Sequence, residues 1–357
     1  MSGRHVSPTR HAQGPGGRLE GLDAARGIAV LSMLVAHLSP VGGVFELSEY
    51  LTAPLFAVVI AVAMALRLES GTVSAARFVG DNVLRGVLLL VVGVALQMTY
   101  GQIDVVLPYL GVLVVVLAPL AVLLRRLPVL TLGAAVGAAV VGPIVMERAR
   151  GLVADGAVTG PLRDLLLWTA AGANYRLASF LPMALGGLVL VMLLGRLDRL
   201  LTTTAAAAVL LGTAALVHVM GRATDEGAAA YSGTTAEVVA ATFLASGVVL
   251  GSFALVLVVR ERLPRLAPAL EPVLSTGRLA FTAYTLQILV LAAISPLRGG
   301  ARDDSFLVLG VTTVLVVGTC LLLDRRFGTG PFELLSRAVR VPQRPDPGQA
   351  GRHVTRR

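Results

Sequence analysis

The sequence predicts an all-α protein: a polytopic membrane helix bundle of about ten transmembrane helices, with both termini in the cytosol. Three observations carry that reading. Hydrophobic residues make up 55% of the 357 and charged residues 14%, where a soluble domain carries about 25% charge. Mean hydropathy is +0.81, and runs of about 20 apolar residues recur, the length that crosses a bilayer core. Strand-type alternation is absent, which argues against a membrane barrel.

The elements follow in order from apolar length and flanking charge. Spans are expected near 22–41, 50–66, 82–99, 105–124, 129–146, 177–195, 200–220, 236–259, 279–297 and 305–323. The chain has no lysine, so all 30 basic residues are arginine. With the N-terminus inside, about 23 of them fall on the cytosolic side, as the positive-inside rule requires. They cluster at Arg67 to Arg85, Arg125–Arg126, Arg196–Arg199, Arg260–Arg278 and after Arg325. The longest outer segment joins spans five and six. Its "PLRDLLLWTA" reads as a short amphipathic helix on the outer interface, with Trp168 at headgroup level. Three regions result: 1–20, a disordered cytosolic tail; 21–325, the transmembrane helical domain; 326–357, a cytosolic basic tail. The expected location is the cell membrane, as a multi-pass protein of a bacterial inner or plasma membrane.

The net charge of +9 is a topological signal. There is no basic domain and no stacking platform for nucleic acid. A single cysteine, Cys320, excludes a disulfide framework and a Cys-rich metal site. The histidines lack ligand spacing, so no metal is expected. Partners are the membrane lipids and a small acceptor molecule, and a homodimer is the assembly considered.

The first span is the chemically unusual one. "GLDAARGIAVLSMLVAHLSP" holds Asp23 and Arg26 at one end and His37 at the other. Ionisable groups inside a span are costly and point to function. Arg26 and His37 are eleven residues apart, so they share a helix face about 16 Å apart in rise. Imidazole moves protons near neutral pH, and a guanidinium is suited to the phosphates of a carrier such as coenzyme A. The competing reading is a helix cap, an interfacial anchor and an interfacial histidine.

Other polar residues have comparable alternatives. Glu46 and Glu49, at the outer end of the second span, are placed to orient His37 or to sit in a solvated loop. Gln97 suits hydrogen bonding within the bundle. Tyr109 suits the cavity or the aromatic belt. Asn174, Tyr175 and Arg176 precede the sixth span, where they can meet an acceptor or only solvent. His218 reads as interfacial.

Three segments resemble a family. "RLEGLDAARGIAVLSMLVAHLSP" is similar to the opening of the transmembrane acyltransferases: type-three acyltransferases, heparan-alpha-glucosaminide N-acetyltransferases and YeiB-like membrane proteins. "STGRLAFTAYTLQILV" is similar to a late helix of the YeiB-like and acetyltransferase-like proteins, through Gly277, Arg278, Thr282 and Tyr284. "LPYLGVLVVVLAPL" resembles their fourth-helix pattern. The resemblance implies transfer of an acyl group from cytosolic acyl-CoA, acetyl-CoA first, to a hydroxyl or amine at the outer face. The acceptor would be a sugar, a glycolipid or a small molecule. The implied assignments are His37, Glu46 and Glu49 for catalysis and Asp23, Arg26, Arg85 and Arg278 for the acyl-CoA. Tyr109, Asn174, Tyr284 and Gln287 are assigned to the acceptor. Two positions depart from the family: glutamates stand where several relatives have a histidine after the first helix, and Gln287 where close relatives often have one. The alternative reading is a transporter or exporter without covalent chemistry.

Overall fold

The computed structural model describes residues 13–14, 18–40, 45–194, 200–223, 227–299 and 304–339. The chain is a polytopic helical bundle. A two-residue antiparallel ribbon, β1 (Gln13–Gly14) and β2 (Arg18–Leu19), precedes the first helix. Most of the expected N-terminal tail lies outside the described residues.

The helices are α1 (Glu20–Leu38), α2 (Glu46–Glu69), α3 (Ala75–Thr99), α4 (Leu107–Leu124), α5 (Pro128–Ala154), α6 (Gly160–Leu166), α7 (Leu177–Leu194), α8 (Leu200–Arg222), α9 (Thr235–Arg262), α10 (Ala267–Arg278), α11 (Ala280–Ile294), α12 (Phe306–Phe327) and α13 (Pro331–Ala338). Eight of these are long and apolar enough to cross a membrane, and a bent pair makes a ninth. The shorter apolar helix α7 occupies the remaining expected position. Each of the ten predicted spans therefore meets a helix. The amphipathic segment also forms: α6 runs into a π turn at Leu167–Ala171 that holds Trp168.

Two boundaries that bear on the site differ from expectation. The second span begins at Glu46, so Glu46 and Glu49 occupy its first turn. The third begins at Ala75, so Arg85 lies well inside a helix. The ninth span, expected over 279–297, is α11, and α10 precedes it across an 82° bend at Leu279. With only fifteen residues, α11 rises about 22 Å. The expected C-terminal tail also contains α13, which packs on α11 through Phe332 against Phe281.

Polar ties fix the two ends of the bundle. At the arginine-rich end, Arg260 pairs with Glu20 at 2.9 Å and Glu271 at 3.2 Å, and Arg67 pairs with the buried Asp81 at 2.6 Å. At the opposite end, the Ser305 amide donates to the Leu38 carbonyl and the Tyr50 hydroxyl to the Glu237 carbonyl. Between the ends, helices meet through glycine, as is usual where lipid removes the hydrophobic drive for helix association. A Cβ on Gly86 would stand 2.7 Å from the Gly111 carbonyl oxygen, and one on Gly111 would stand 2.6 Å from the Gly86 oxygen.

Arg176, 1% exposed, organises the outer loops. It donates to the carbonyls of Gly172, Ala173 and Tyr231 and to the Ser179 hydroxyl. Burial pulls its pKa down, and the Glu237 carboxylate opposes that pull. Glu237 in turn accepts from the amides of Tyr231 and Gly233. These bonds hold Tyr231 at φ +66°, which is left-handed backbone for a non-glycine residue.

Candidate functional site

A cavity of about 240 Å³ opens at the arginine-rich end. Arg26, Arg85, Arg278 and Arg337 line it, with Tyr284 among the apolar residues that line it too. Glycine contacts bring these groups together. A side chain on Gly277 would overlap the Asp23 carbonyl, and one on Gly27 would overlap the Val273 carbonyl. The "LDAARG" and "STGR" segments thus lie backbone to backbone, and Arg26 and Arg278 follow their glycine neighbours into one space. The Gly86–Gly111 crossing does the same for Arg85 on α3 and Leu110 on α4.

The guanidiniums are partly compensated. Arg26 pairs with Asp23 at 2.9 Å. Asp23 is buried and does not line the cavity. Its expected contact with an acyl-CoA becomes a role in holding Arg26, because i and i+3 side chains meet on a helix. Arg278 pairs with Asp324 at 2.5 Å and Glu271 at 2.9 Å. Arg337 is exposed at the mouth.

Glu333, also on the cavity wall, comes from α13. Its carboxylate accepts from the Phe281 and Thr282 amides at 3.0 Å and from the Thr282 hydroxyl at 2.5 Å. Those amides are the free donors of the α11 N-terminus, a position that favours an anion. Hydropathy gave no sign of this residue, since it follows the last span.

Tyr284 closes the inner end. It lines the cavity, and its hydroxyl accepts from the Val106 amide at 2.9 Å. Val106 belongs to an irregular segment between α3 and α4 whose Ile103, Val105 and Val106 are buried. Irregular backbone inside a bundle needs internal partners. Gln97 supplies them, donating to the Ile103 carbonyl at 3.2 Å and accepting from the Val105 amide at 2.8 Å.

The same segment carries Asp104, which sequence reasoning missed. Asn174 donates to its carboxylate. Tyr109 stacks edge-on against Tyr175, and Tyr175 against Tyr231, each at 5.6 Å between ring centres. Asp104 acts electrostatically on Tyr175 and Tyr231. Burial pushes Tyr231 up to about 12 and Tyr175 well above the usual tyrosine range, so both stay neutral at physiological pH. Tyr109, Asn174 and Tyr284 therefore gather around one loop. The only advance signal for Asp104 was an acid following a polar "YGQ" break.

His37 lies apart from this cavity. Its Nδ1 is 3.1 Å from Gln287 Nε2. Gln287 is fully buried, and its Oε1 has no partner among the described residues. If the amide donates, Nδ1 is the acceptor and the proton sits on Nε2. With the amide reversed, Nδ1–H donates and Nε2 is free to accept a proton. Gln287 thus selects the tautomer of His37. Arg26 and His37 share a helix face, but buried Val30, Met33 and Leu34 fill α1 between them, and only Arg26 lines the arginine cavity. Gln287 is, however, one turn beyond Tyr284 on α11, about 4.5 Å along the helix.

Glu46 and Glu49 do not bond His37. They line a second, larger cavity of about 700 Å³ at the opposite end, together with Tyr50, His218 and Arg222. Among the described residues no three His, Cys, Asp or Glu side chains are grouped to hold a metal.

No curated protein matches the chain. Residues 177–341, which take in α7 to α13 and the "STGR" segment, match the family model described as a protein of unknown function, DUF418. That family is the YeiB-like one.

Proposed function

We propose that this membrane protein is an acyltransferase that takes an acyl group from cytosolic acyl-CoA and gives it to a hydroxyl or amine presented from the outer face. The observation that carries this reading is the arginine cavity: three separate segments, each with a glycine crossing, bring Arg26, Arg85 and Arg278 together, and α13 adds Arg337 at the same opening. Clustered arginines suit phosphate oxygens through charge-assisted, bidentate bonds. The cavity is too small for a whole coenzyme A, since drug-sized ligands take about 300–1,000 Å³. It suits the slender arm of the carrier, with the phosphates left at the mouth by Arg337 and Arg278. The thioester end would then stand at Tyr284.

In the reaction, the acceptor oxygen or nitrogen attacks the thioester carbonyl while His37 Nε2 takes its proton, which requires the Gln287 amide to be turned so that its oxygen accepts from Nδ1–H. The carbon–sulfur bond breaks, and the departing thiolate takes the proton back from the His37 imidazolium. Gln287 holds Nδ1, so the tautomer it selects sets whether Nε2 is free. Tyr284 must turn aside for the acyl group to come within reach, since its hydroxyl bond to Val106 closes the cavity.

The test is release of free CoA from acetyl-CoA by purified protein, with a membrane lipid extract as acceptor. Replacing His37 by Ala is expected to lower the rate by about 10²–10⁴-fold, the usual range for a general base. An unchanged rate would remove His37 from the chemistry. A second reading, export without covalent chemistry, is favoured by one observation: the two cavities open at opposite ends and share no lining residue. Uptake of a solute into vesicles without any CoA release would support it.

A further inference from the structure

The cavity at the outer end has chemistry that the acyl-transfer reading leaves unused. It lies between the starts of α2 and α9 and the end of α8. Its volume of about 700 Å³ falls within the usual range for ligand sites, about 300–1,000 Å³. Most of its wall is apolar, from residues such as Leu211 and Leu244. The polar groups are few and divided by sign. Glu46 and Glu49 sit in the first turn of α2, three residues apart and on one face. Neither has a hydrogen bond or ion pair among the described residues. Arg222 is in the last turn of α8, one turn beyond His218. The buried Nδ1 of His218 has no hydrogen-bond partner among the described residues. The ring of His218 meets Tyr50 edge-on at 5.0 Å.

Two carboxylates, one guanidinium and an unsatisfied imidazole nitrogen on an apolar wall match a zwitterion with a hydrocarbon tail. α8 is the most lipid-exposed of the long helices, so a ligand can reach the wall from the bilayer. We infer that this cavity binds the headgroup of an aminophospholipid, with the primary ammonium on Glu46 and Glu49 and the phosphodiester on Arg222. The first methylenes of the tail lie along α8 and α9, beside the His218 ring. A neutral or purely anionic head would leave the half-buried Glu49, beside Glu46, without a positive group from the ligand. This inference is independent of acyl transfer; if both hold, an amine-headed lipid is the class of acceptor or resident lipid at the outer face.

The experiment uses the full-length protein in phosphatidylcholine nanodiscs. Binding of lysophosphatidylethanolamine is compared with that of lysophosphatidylglycerol, which has the same phosphodiester but a hydroxylated head. The wild type is expected to prefer the amine by about tenfold or more, the scale of one charge-assisted contact. The double variant E46Q/E49Q, which preserves shape, is expected to bring the two lipids level, and R222Q to weaken both. Equal binding of the two lipids by the wild type, or no binding, would overturn the inference. So would a preference that survives E46Q/E49Q. None of these outcomes depends on CoA release.

Discussion

At the residue scale, the polar groups divide between those that build the bundle and those that face a cavity. Arg176 is the clearest builder. The sequence allowed it a place in a solvated loop, because charge beside an apolar run usually means an interface. The structure buries it and gives its guanidinium four partners from two outer loops. Removing it strands those carbonyls and the Glu237 carboxylate inside the protein. Replacing Arg176 by Ala is therefore expected to cost about 3 kcal/mol. In a detergent thermal-stability assay this should lower the midpoint by roughly 6–12 °C. A shift within 1–2 °C would show that water satisfies those groups as well as arginine does. Asp23 carries the converse lesson. Its spacing to Arg26 was readable in the sequence, but only coordinates distinguish an acid that meets a ligand from one that holds an arginine beneath it.

At the element scale, hydropathy located helices well and breaks poorly. Hydropathy places the ninth span over α11 alone and passes over α10, whose mixed Pro, Glu and Arg composition hides a helix bent by 82° from its neighbour at Leu279. It also passes over α13, which is amphipathic and lies beyond the last span. The glycines were visible as a high count of 39, yet nothing in one sequence says which of them touch another backbone. The α1–α10 contact leaves Gly277 no room for a side chain, since a Cβ there would stand 1.7 Å from the Asp23 carbonyl oxygen. Replacing Gly277 by Val is expected to reduce the yield of folded, monodisperse protein several-fold, and with it any CoA binding. The same change at Gly310, where a Cβ meets nothing, should be tolerated. Size-exclusion profiles of the two variants make the comparison; like profiles would mean that α10 does not depend on that crossing.

At the scale of the whole molecule, the arginine distribution predicted which end faces the cytosol, and the structure collects those arginines with α10 and α13 at one end. Labelling tests the orientation. Cys320 is buried inside α12, so background is low. A cysteine placed at the exposed Thr159 should react with an impermeant maleimide in intact cells, whereas one at Arg337 should react only after permeabilisation. The reverse pattern would invert the assignment of the two cavities. The clustering of the matched segments in space was beyond the sequence, since Arg26 and Arg278 are most of a chain apart. So was the partner of His37, which is Gln287 from α11 and neither Glu46 nor Glu49.

The central claim is that the four-arginine cavity receives the phosphates and arm of an acyl carrier. Equilibrium binding of CoA to the purified protein, by calorimetry at low and moderate salt, tests it most directly. Saturable binding is predicted, weakening as salt screens the mouth and falling about tenfold in each of Arg26→Gln and Arg337→Gln. Binding that ignores both substitutions and the salt, or no binding at all, would contradict it.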